Sequence, residues 1–280
     1  MRYRRIGDVK VSAIGLGAMP LSVPGRPDRD AAIATIHAAL DAGVTLIDTA
    51  DAYTSDAQGH NEELLASALA GRGEEVLVAT KGGLVYRAGG PWDRDGTPEH
   101  LKAAARASAK RLGVDSIGLY QLHRPDPGVP WEESVGALRE LLEEGVIRLA
   151  GISNATIAQI RSADHVLGGR LASVQNQFSP SYRSSEDELD YCAEHEIAFL
   201  AWGPLGGASR AGEIADAFPV AAEVAAALGV SPQRVILAWE LALQHTMIAI
   251  PGARRPASIR DSALAADLVL TADQIARLSA

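Results

Sequence analysis

The sequence predicts a (β/α)8 TIM barrel with an N-terminal β-hairpin and extra C-terminal helices. Three observations predict it. Eight short apolar runs alternate with helix-patterned stretches from one end of the chain to the other. The runs are apolar at nearly every position, as parallel strands covered on both faces should be. No Gly/Pro/Ser-rich linker and no shift of composition divides the 280 residues. Residues 1–280 are therefore expected as a single barrel domain. An open doubly wound sheet is the alternative use of the same alternation.

The elements follow in order. Residues 4–6 and 10–11 flank Gly7-Asp8, a turn-like pair that suggests a small leading hairpin. The first barrel strand is expected at 13–16 and the first helix at 30–42, closed by Gly43. A strand at 44–48 and a helix at 61–70, stopped by Gly71, come next. The third strand, 75–80, leads to a helix over Pro98–Leu112 with Thr97 as N-cap and Pro98 at its first position. Strand 116–121 precedes helix 131–144, which Gly145 stops. The second half repeats the beat: strand 146–151, helix 156–162, strand 173–177, helix 186–195, strand 197–201. Two helices, 219–228 and 232–244, are joined by Gly229-Val230-Ser231; the last strand is 247–250, and helices 257–265 and 272–278 finish the chain.

Composition narrows the function. A hydrophobic content of 47% with 22% charged residues is that of a soluble globular chain with a large core. A net charge of −9 argues against nucleic-acid and anionic-membrane partners, though not against a small anionic ligand in a local basic pocket. The lone Cys192 forms no internal disulfide, fits a reducing compartment and is expected as a small semi-buried helix residue. The basic N-terminus lacks an apolar h-region, and no apolar run approaches the ~20 residues of a membrane span. A cytoplasmic location is expected.

In a barrel the C-terminal strand ends share one face, where catalytic residues sit. The polar residues there are Asp48, Lys81, His123, Ser153 with Asn154, and Gln175, followed by Trp202. Tyr53 lies on the loop after Asp48. A carboxylate where a strand leaves the core is costly unless paired. Lys81 supplies the partner; held charged by Asp48, it is expected to lower the Tyr53 pKa and make that phenol a better proton donor. His123 can polarise or position a carbonyl. No Ser or Cys nucleophile stands beside a base, and no His/carboxylate cluster has metal-ligand spacing. The constellation suits protonation of a developing alkoxide, with hydride from a cofactor.

An ordered set of motifs carries a resemblance: DTADAY at 48–53, VATKGG at 78–83, LYQLHRPDP at 119–127, GISN at 151–154, QNQFS at 175–179, AWGPLGG at 201–207 and IPGARRP at 250–256. The chain resembles the aldo-keto reductase superfamily over nearly its whole length. The resemblance implies a barrel that binds NADPH without a Rossmann domain, a tetrad of Asp48, Tyr53, Lys81 and His123, and Tyr53 as general acid. Gly15-Leu16-Gly17-Ala18-Met19-Pro20 lacks the third glycine and acidic ribose ligand of a Rossmann fingerprint; the resemblance instead puts Gly17, Ala18 and Met19 beside the nicotinamide ribose.

The resemblance places Ser153, Asn154 and Gln175 on the carboxamide, whose donors and acceptors those side chains match. It puts Trp202 on the nicotinamide ring, where many relatives carry Tyr, and extends the cofactor-binding set to Asp48, Gly203, Pro204, Leu205 and Gly252. Arg254 and Arg255 open a helix and suit a 2′-phosphate, favouring NADPH over NADH. Many relatives have Lys where Gly252 stands and Arg or Gln where Ser258 stands; Asp261 and Ser262 match positions that hold the adenine, often Glu and Asn. The substrate pocket is expected from Tyr53, Tyr86, Trp92 and His123, with loops 19–29, 82–96 and 203–218 setting specificity. The chain ends soon after its last helix, so an open pocket for a small-molecule carbonyl is expected. The alternative is a cofactor-binding regulatory subunit with little turnover. A sugar isomerase barrel is disfavoured by the missing metal cluster.

Overall fold

Parallel strands close into a ring, and the ring orients everything that follows. The structure, a computed structural model, describes residues 1–73, 75–87, 90, 92–207 and 210–280. The chain opens with an antiparallel hairpin, β1 (Tyr3–Ile6) and β2 (Val9–Ser12), turned at Gly7-Asp8. The sheet then runs in chain order through β3 (Leu16–Gly17), β4 (Leu46–Asp48) and β5 (Leu77–Gly82). A second small hairpin, β6 (Leu84–Val85) and β7 (Asp93–Arg94), rises from the loop after β5. The sheet continues through β8 (Ile117–Leu122), β9 (Ile147–Ser153), β10 (Leu171–Gln177), β11 (Ala198–Trp202) and β12 (Met247–Ala249).

Parallel bridges Ile14–Ala249 and Gly17–Gly252 join the first strand to the last. The Gly15 N–H donates to the Ala249 carbonyl at 2.9 Å and the Gly17 N–H to the Pro251 carbonyl at 3.0 Å. The seam explains Gly17: a Cβ there would lie 2.8 Å from the Ile250 carbonyl oxygen. The eight expected strands are all present. The first is displaced toward Gly17, because residues 13–16 spend most of their hydrogen bonds on the seam rather than on β4.

Helices α1 (Arg29–Asp41), α2 (His60–Leu69), α3 (Pro98–Leu112), α4 (Trp131–Glu143), α5 (Ile157–Val166) and α6 (Glu186–Glu194) pack outside the ring. After β11 come α7 (Ile214–Ala217), α8 (Pro219–Leu228) and α9 (Pro232–Leu243); after β12 come α10 (Pro256–Ala263) and α11 (Ala272–Ser279). Thr97 caps α3 by accepting the His100 N–H, as expected. Helix α5 outruns the expected end at 162. Ile160, Ala163 and Leu167 carry its buried stripe onward, and the stop comes at Gly168-Gly169, both at positive φ. Cys192 is fully buried on α6. Residues 88, 89 and 91 of the 82–96 loop, and 208–209 of the 203–218 loop, lie outside the described residues.

Strand alternation divides the core in two. Leu46, Leu77, Ala79, Leu119, Leu200 and Ile248 fill the ring interior together with Ile6 and Val11 of the leading hairpin. The hairpin turn lies under the early ends of the strands, with the space above the Gly7 α-carbon bounded by Leu149 and Ala172. The bottom of the ring is thus plugged by apolar side chains. Polar chemistry is left to the other end.

One backbone site has no room for a side chain. A Cβ on Gly82 would stand 2.0 Å from the Tyr120 hydroxyl oxygen, and that phenol is fully buried and donates to the Leu101 carbonyl at 3.2 Å. Gly82→Ala is therefore expected to cost about 1–3 kcal/mol, read as a lowered denaturant midpoint; an unchanged midpoint would show that the Tyr120 pocket yields freely.

Candidate functional site

Period-two alternation carries specific side chains to the top of the ring. On β4 the inward series is Leu46 then Asp48; on β5 it is Leu77, Ala79, Lys81. Leu119 and Gln121 on β8 lead to His123, and Ser173 on β10 leads to Gln175. The hydrophobic members fill the barrel and the last member of each series is polar. Lys81 is registered against Gln121, and Gln175 against Ser153.

The four side chains expected to meet do so. Lys81 is fully buried. Its Nζ donates to Asp48 Oδ1 at 2.6 Å, to the Thr49 carbonyl at 2.8 Å and to the Tyr53 hydroxyl at 3.1 Å. Those three bonds use all its protons. Asp48 Oδ2 accepts from Gln175 Nε2 at 2.7 Å. The Tyr53 ring meets the His123 ring edge-on, centroids 5.5 Å apart. Because Lys81 donates to the Tyr53 oxygen, the phenolic proton is left to point elsewhere.

The electrostatics confirm one expectation and correct another. Burial works against the Lys81 ammonium, but Asp48, then Tyr53, outweighs it, and the Lys81 pKa is raised. Lys81 is firmly charged. Tyr53 is expected to be lowered by that cation, and instead its pKa is raised above 10. Burial is the larger effect; Lys81 lowers it, as expected, but does not overcome desolvation and the Asp48 charge. Tyr53 therefore keeps its proton across neutral pH. Burial, with Lys81 and Arg124 adding, pushes His123 well below its ordinary value, so its imidazole is neutral. Neither ring nitrogen of His123 holds a hydrogen bond among the described residues, and Nδ1 is buried.

The residues expected to hold a cofactor lie on the adjoining arc. Ser153 Oγ donates to the Gln175 carbonyl at 2.7 Å. Asn154, at φ 59°, donates from Nδ2 to the His123 carbonyl at 3.0 Å and to Ser153 Oγ at 2.9 Å. Trp202, half-buried at the end of β11, donates its indole N–H to Asn154 Oδ1 at 3.3 Å. Arg254 and Arg255 precede α10, with Arg255 at its N-cap. The Arg254 guanidinium lies against Gly25 of the 19–29 loop, and its buried Nε has no partner. Ser258 is half-buried on α10. Asp261 is bonded to Ser231 Oγ and paired with Arg234, tying α10 to α9, while Ser262 is buried beside it.

On the expected substrate side, the Trp92 ring stands 6.2 Å from the Tyr53 ring and is partly open to solvent. Tyr86 faces the same loop differently: its hydroxyl donates to the Ser55 carbonyl at 2.9 Å and pins the 82–96 loop to the segment carrying Tyr53.

Sequence reasoning misses a second buried polar cluster behind the first. Thr80 faces outward, opposite Lys81, and donates to Glu62 Oε1 on α2 at 2.6 Å. Arg111 Nε on α3 donates to Glu62 Oε2 at 2.6 Å. Asn61 on α2 accepts from Thr49 Oγ1 at 2.5 Å and donates to the Ala18 carbonyl at 2.9 Å. The loop from Asp48 to Tyr53 is thus clamped on both sides. In that loop Asp51 is buried, its Oδ2 accepts from Gln58 Nε2 at 3.1 Å, and its Oδ1 has no hydrogen-bond partner among the described residues. The one available signal was a carboxylate pattern, Asp51 and Glu62, that reads as an ordinary loop and helix start.

Comparisons place this geometry among known proteins. The Aldo/keto reductase family model matches residues 13–280. The chain is 35% identical over 278 residues to 6-dehydroglucose reductase of Novosphingobium aromaticivorans, covering 93% of this chain and 89% of that protein. It is 34% identical over 280 residues to an uncharacterised oxidoreductase of Schizosaccharomyces pombe, covering 98% of this chain and 88% of that protein. Its fold superposes on an aldo-keto reductase from Klebsiella pneumoniae, crystallised with NADPH, with a TM-score of 0.82 at 29% identity, covering 99% of this chain and 93% of that one.

Asp51 gives the site a pH signature. Burial, with Glu62 adding, raises its carboxyl from 3.8 to about 7. Between those values the folded state holds more protons than the unfolded one, so this group's contribution to stability falls as pH rises through the window and levels off above 7. Asp51→Asn removes the ionisation. The variant's stability relative to wild type should increase by roughly 2–4 kcal/mol from pH 4 to pH 8, measured by denaturant unfolding; a pH-independent difference would place the proton elsewhere.

Proposed function

The chain belongs to the aldo/keto reductase family, and on that premise we propose that it is an NADPH-dependent oxidoreductase that reduces an aldehyde or ketone to an alcohol, with Tyr53 as the general acid. The observation that carries this reading is the three-way contact at Lys81: an ammonium held by Asp48 at 2.6 Å donates to the Tyr53 hydroxyl at 3.1 Å. A phenol whose oxygen already accepts from a cation gains stability as its proton leaves, so the proton transfer becomes easier as charge develops on the substrate oxygen.

The other residues have distinct work. Neutral His123, with unused ring nitrogens, donates to or orients the carbonyl oxygen in front of Tyr53. Trp92 and the Tyr53 ring bound the substrate's apolar body. Asp48 and Gln175 share a hydrogen bond, so the group that fixes Lys81 also fixes one side chain of the cofactor arc.

The residues present fit a nicotinamide dinucleotide phosphate. Ser153, Asn154 and Gln175 offer donors and acceptors on one arc. Trp202 offers a flat face held by its indole N–H. Gly17 and Gly252 leave the backbone bare at the seam, with Ala18 and Met19 following; Gly203, Pro204 and Leu205 continue from Trp202. Arg254, with a buried unpartnered Nε and no paired carboxylate among the described residues, suits a 2′-phosphate at the N-terminal end of α10, with Arg255, Ser258 and Ser262 in the same segment. Asp261 is the weakest member of the set, since Arg234 and Ser231 already engage it. When bound, the cofactor supplies the hydride. The Klebsiella pneumoniae relative crystallised with NADPH supports the same choice.

A carbonyl panel followed by loss of NADPH absorbance tests the reading. Tyr53→Phe should lower kcat/KM by ~10²–10⁴-fold while leaving the NADPH Kd near that of the wild type; retention of most of the turnover rules out Tyr53 as the acid. Arg254→Ala should raise KM for NADPH about tenfold with little change for NADH. Equal use of the two cofactors by the wild type would sink the phosphate assignment.

A further inference from the structure

Among the described residues, two arginines beside the site have no acidic partner. Arg124 directly follows His123, and Arg94 lies on β7 of the loop hairpin. Arg94 Nη1 donates to the Pro125 carbonyl at 3.1 Å, which brings the hairpin over the loop after β8. Together they border a cavity of about 450 Å³, whose wall also includes Asp126, Trp131 and Asn154.

The nearby acids are spoken for. Asp93 pairs with Arg87. Asp95 accepts from Thr97 Oγ1 and the Thr97 N–H and faces His100. Asp126 accepts the N–H groups of Gly96 and Gly128 at 2.9 and 2.8 Å. Among the described residues Arg124 has no hydrogen bond or ion pair and Arg94 no ion pair. Elsewhere on this rim Arg26 pairs with Asp56 and Arg183 with Glu186. Half-burial of Arg124, with Arg94 close by, works against its charge, while Tyr53 and Tyr182 lie near enough to act on it. Two like charges stand together at the edge of a cavity in a chain of net charge −9, and an anion between them would relieve their repulsion and gain charge-assisted hydrogen bonds.

This anion is not the cofactor's phosphate. β8, which leads to Arg124, stands four places from β12, which leads to Arg254, in a ring of eight strands. The two cationic sites face each other across the barrel.

We propose that Arg94 and Arg124 bind the anionic group, carboxylate or phosphate, of an aldehyde or ketone substrate whose carbonyl lies against Tyr53 and His123. The assignment rests on the carbonyl-reductase reading above and gives its substrate class. Arg124, the half-buried member, sets the anchor, and Arg94, exposed on β7 and held by its bond to the Pro125 carbonyl, stands beside it. The natural substrate is thus an oxo acid or a phosphorylated carbonyl compound.

The test compares matched pairs with NADPH saturating. One arm sets ω-oxo acids from 4-oxobutanoate to 7-oxoheptanoate against n-alkanals of equal length. The other sets glyceraldehyde 3-phosphate against glyceraldehyde. The readout is the ratio of kcat/KM, charged over uncharged, within one enzyme, so any general loss of folding cancels. In at least one arm the ratio should exceed about ten, shrink with added salt, fall about tenfold in Arg124→Met, and recover in part in Arg124→Lys. The carboxylate and phosphate arms separate the two sources of charge. Uncharged aldehydes reduced as well as or better than charged ones in both arms, or a ratio unmoved by Arg124→Met, overturns the proposal. Failure to reduce any compound in either arm is a different result: it overturns the underlying carbonyl-reductase reading, and this assignment with it.

Discussion

The structure turns on one buried ion pair. Lys81 and Asp48 sit side by side at the top of adjacent parallel strands, almost wholly removed from water. Taking two charges out of water is expensive, and their attraction recovers that cost only if the remaining donors and acceptors are used. Here they are. The third and second Lys81 protons go to Thr49 and Tyr53, and the far Asp48 oxygen goes to Gln175. Because all three ammonium protons are used and both Asp48 oxygens are engaged, the ammonium is held in place, and the phenol it touches is held with it. Removing either partner would strand a charge, a loss of about 3–5 kcal/mol. The pair therefore fixes geometry more than it adds stability.

Behind it sits a second charge centre that faces the helices. Lys81 points into the ring, and its neighbour Thr80 points out to Glu62, which Arg111 neutralises. The segment between Asp48 and Tyr53 runs between these centres. Its backbone is gripped from both sides: the Asp51 N–H donates to the Lys81 carbonyl at 3.2 Å, and the Gly59 N–H to the Asp51 carbonyl at 2.6 Å. Tyr53 is on a loop by sequence, yet its position is set by two strands and two helices. A residue that must deliver a proton at a fixed spot needs that rigidity.

How much could be read beforehand follows from what each residue depends on. Strand ends are written in local pattern, so Asp48, Lys81, His123 and Gln175 were visible where apolar runs stop. The eight-fold alternation likewise gave the ring. Glu62 and Arg111 were not visible, because each sits in an ordinary amphipathic helix and only the packing of α2 on α3 brings them together. The Tyr53 pKa departs from the expectation for a related reason. The cation beside it is evident from spacing, but the depth of burial that outweighs the cation belongs to the folded whole. The hairpin β6–β7 is not legible in the sequence because its strands have two residues each and no period to detect. Arg124 stands in the motif after His123 with no role legible there, since the lack of an acidic partner among the described residues is a property of three dimensions.

The seam between Gly17 and Gly252 has a consequence for how the protein is made. The ring is completed by contacts between the beginning and the end of the chain. During synthesis the N-terminal strands emerge with one edge bare, and that edge stays unpaired until residues near Ala249 and Gly252 have left the ribosome. Closing so long a loop is slow, and an open strand edge invites wrong pairing meanwhile. β3 reduces that hazard by being only two residues long and glycine-ended. The chemistry at Lys81 is thus ready in sequence early, but the barrel that confines it exists only once the last strand, β12, and Gly252 have emerged to pair with the first.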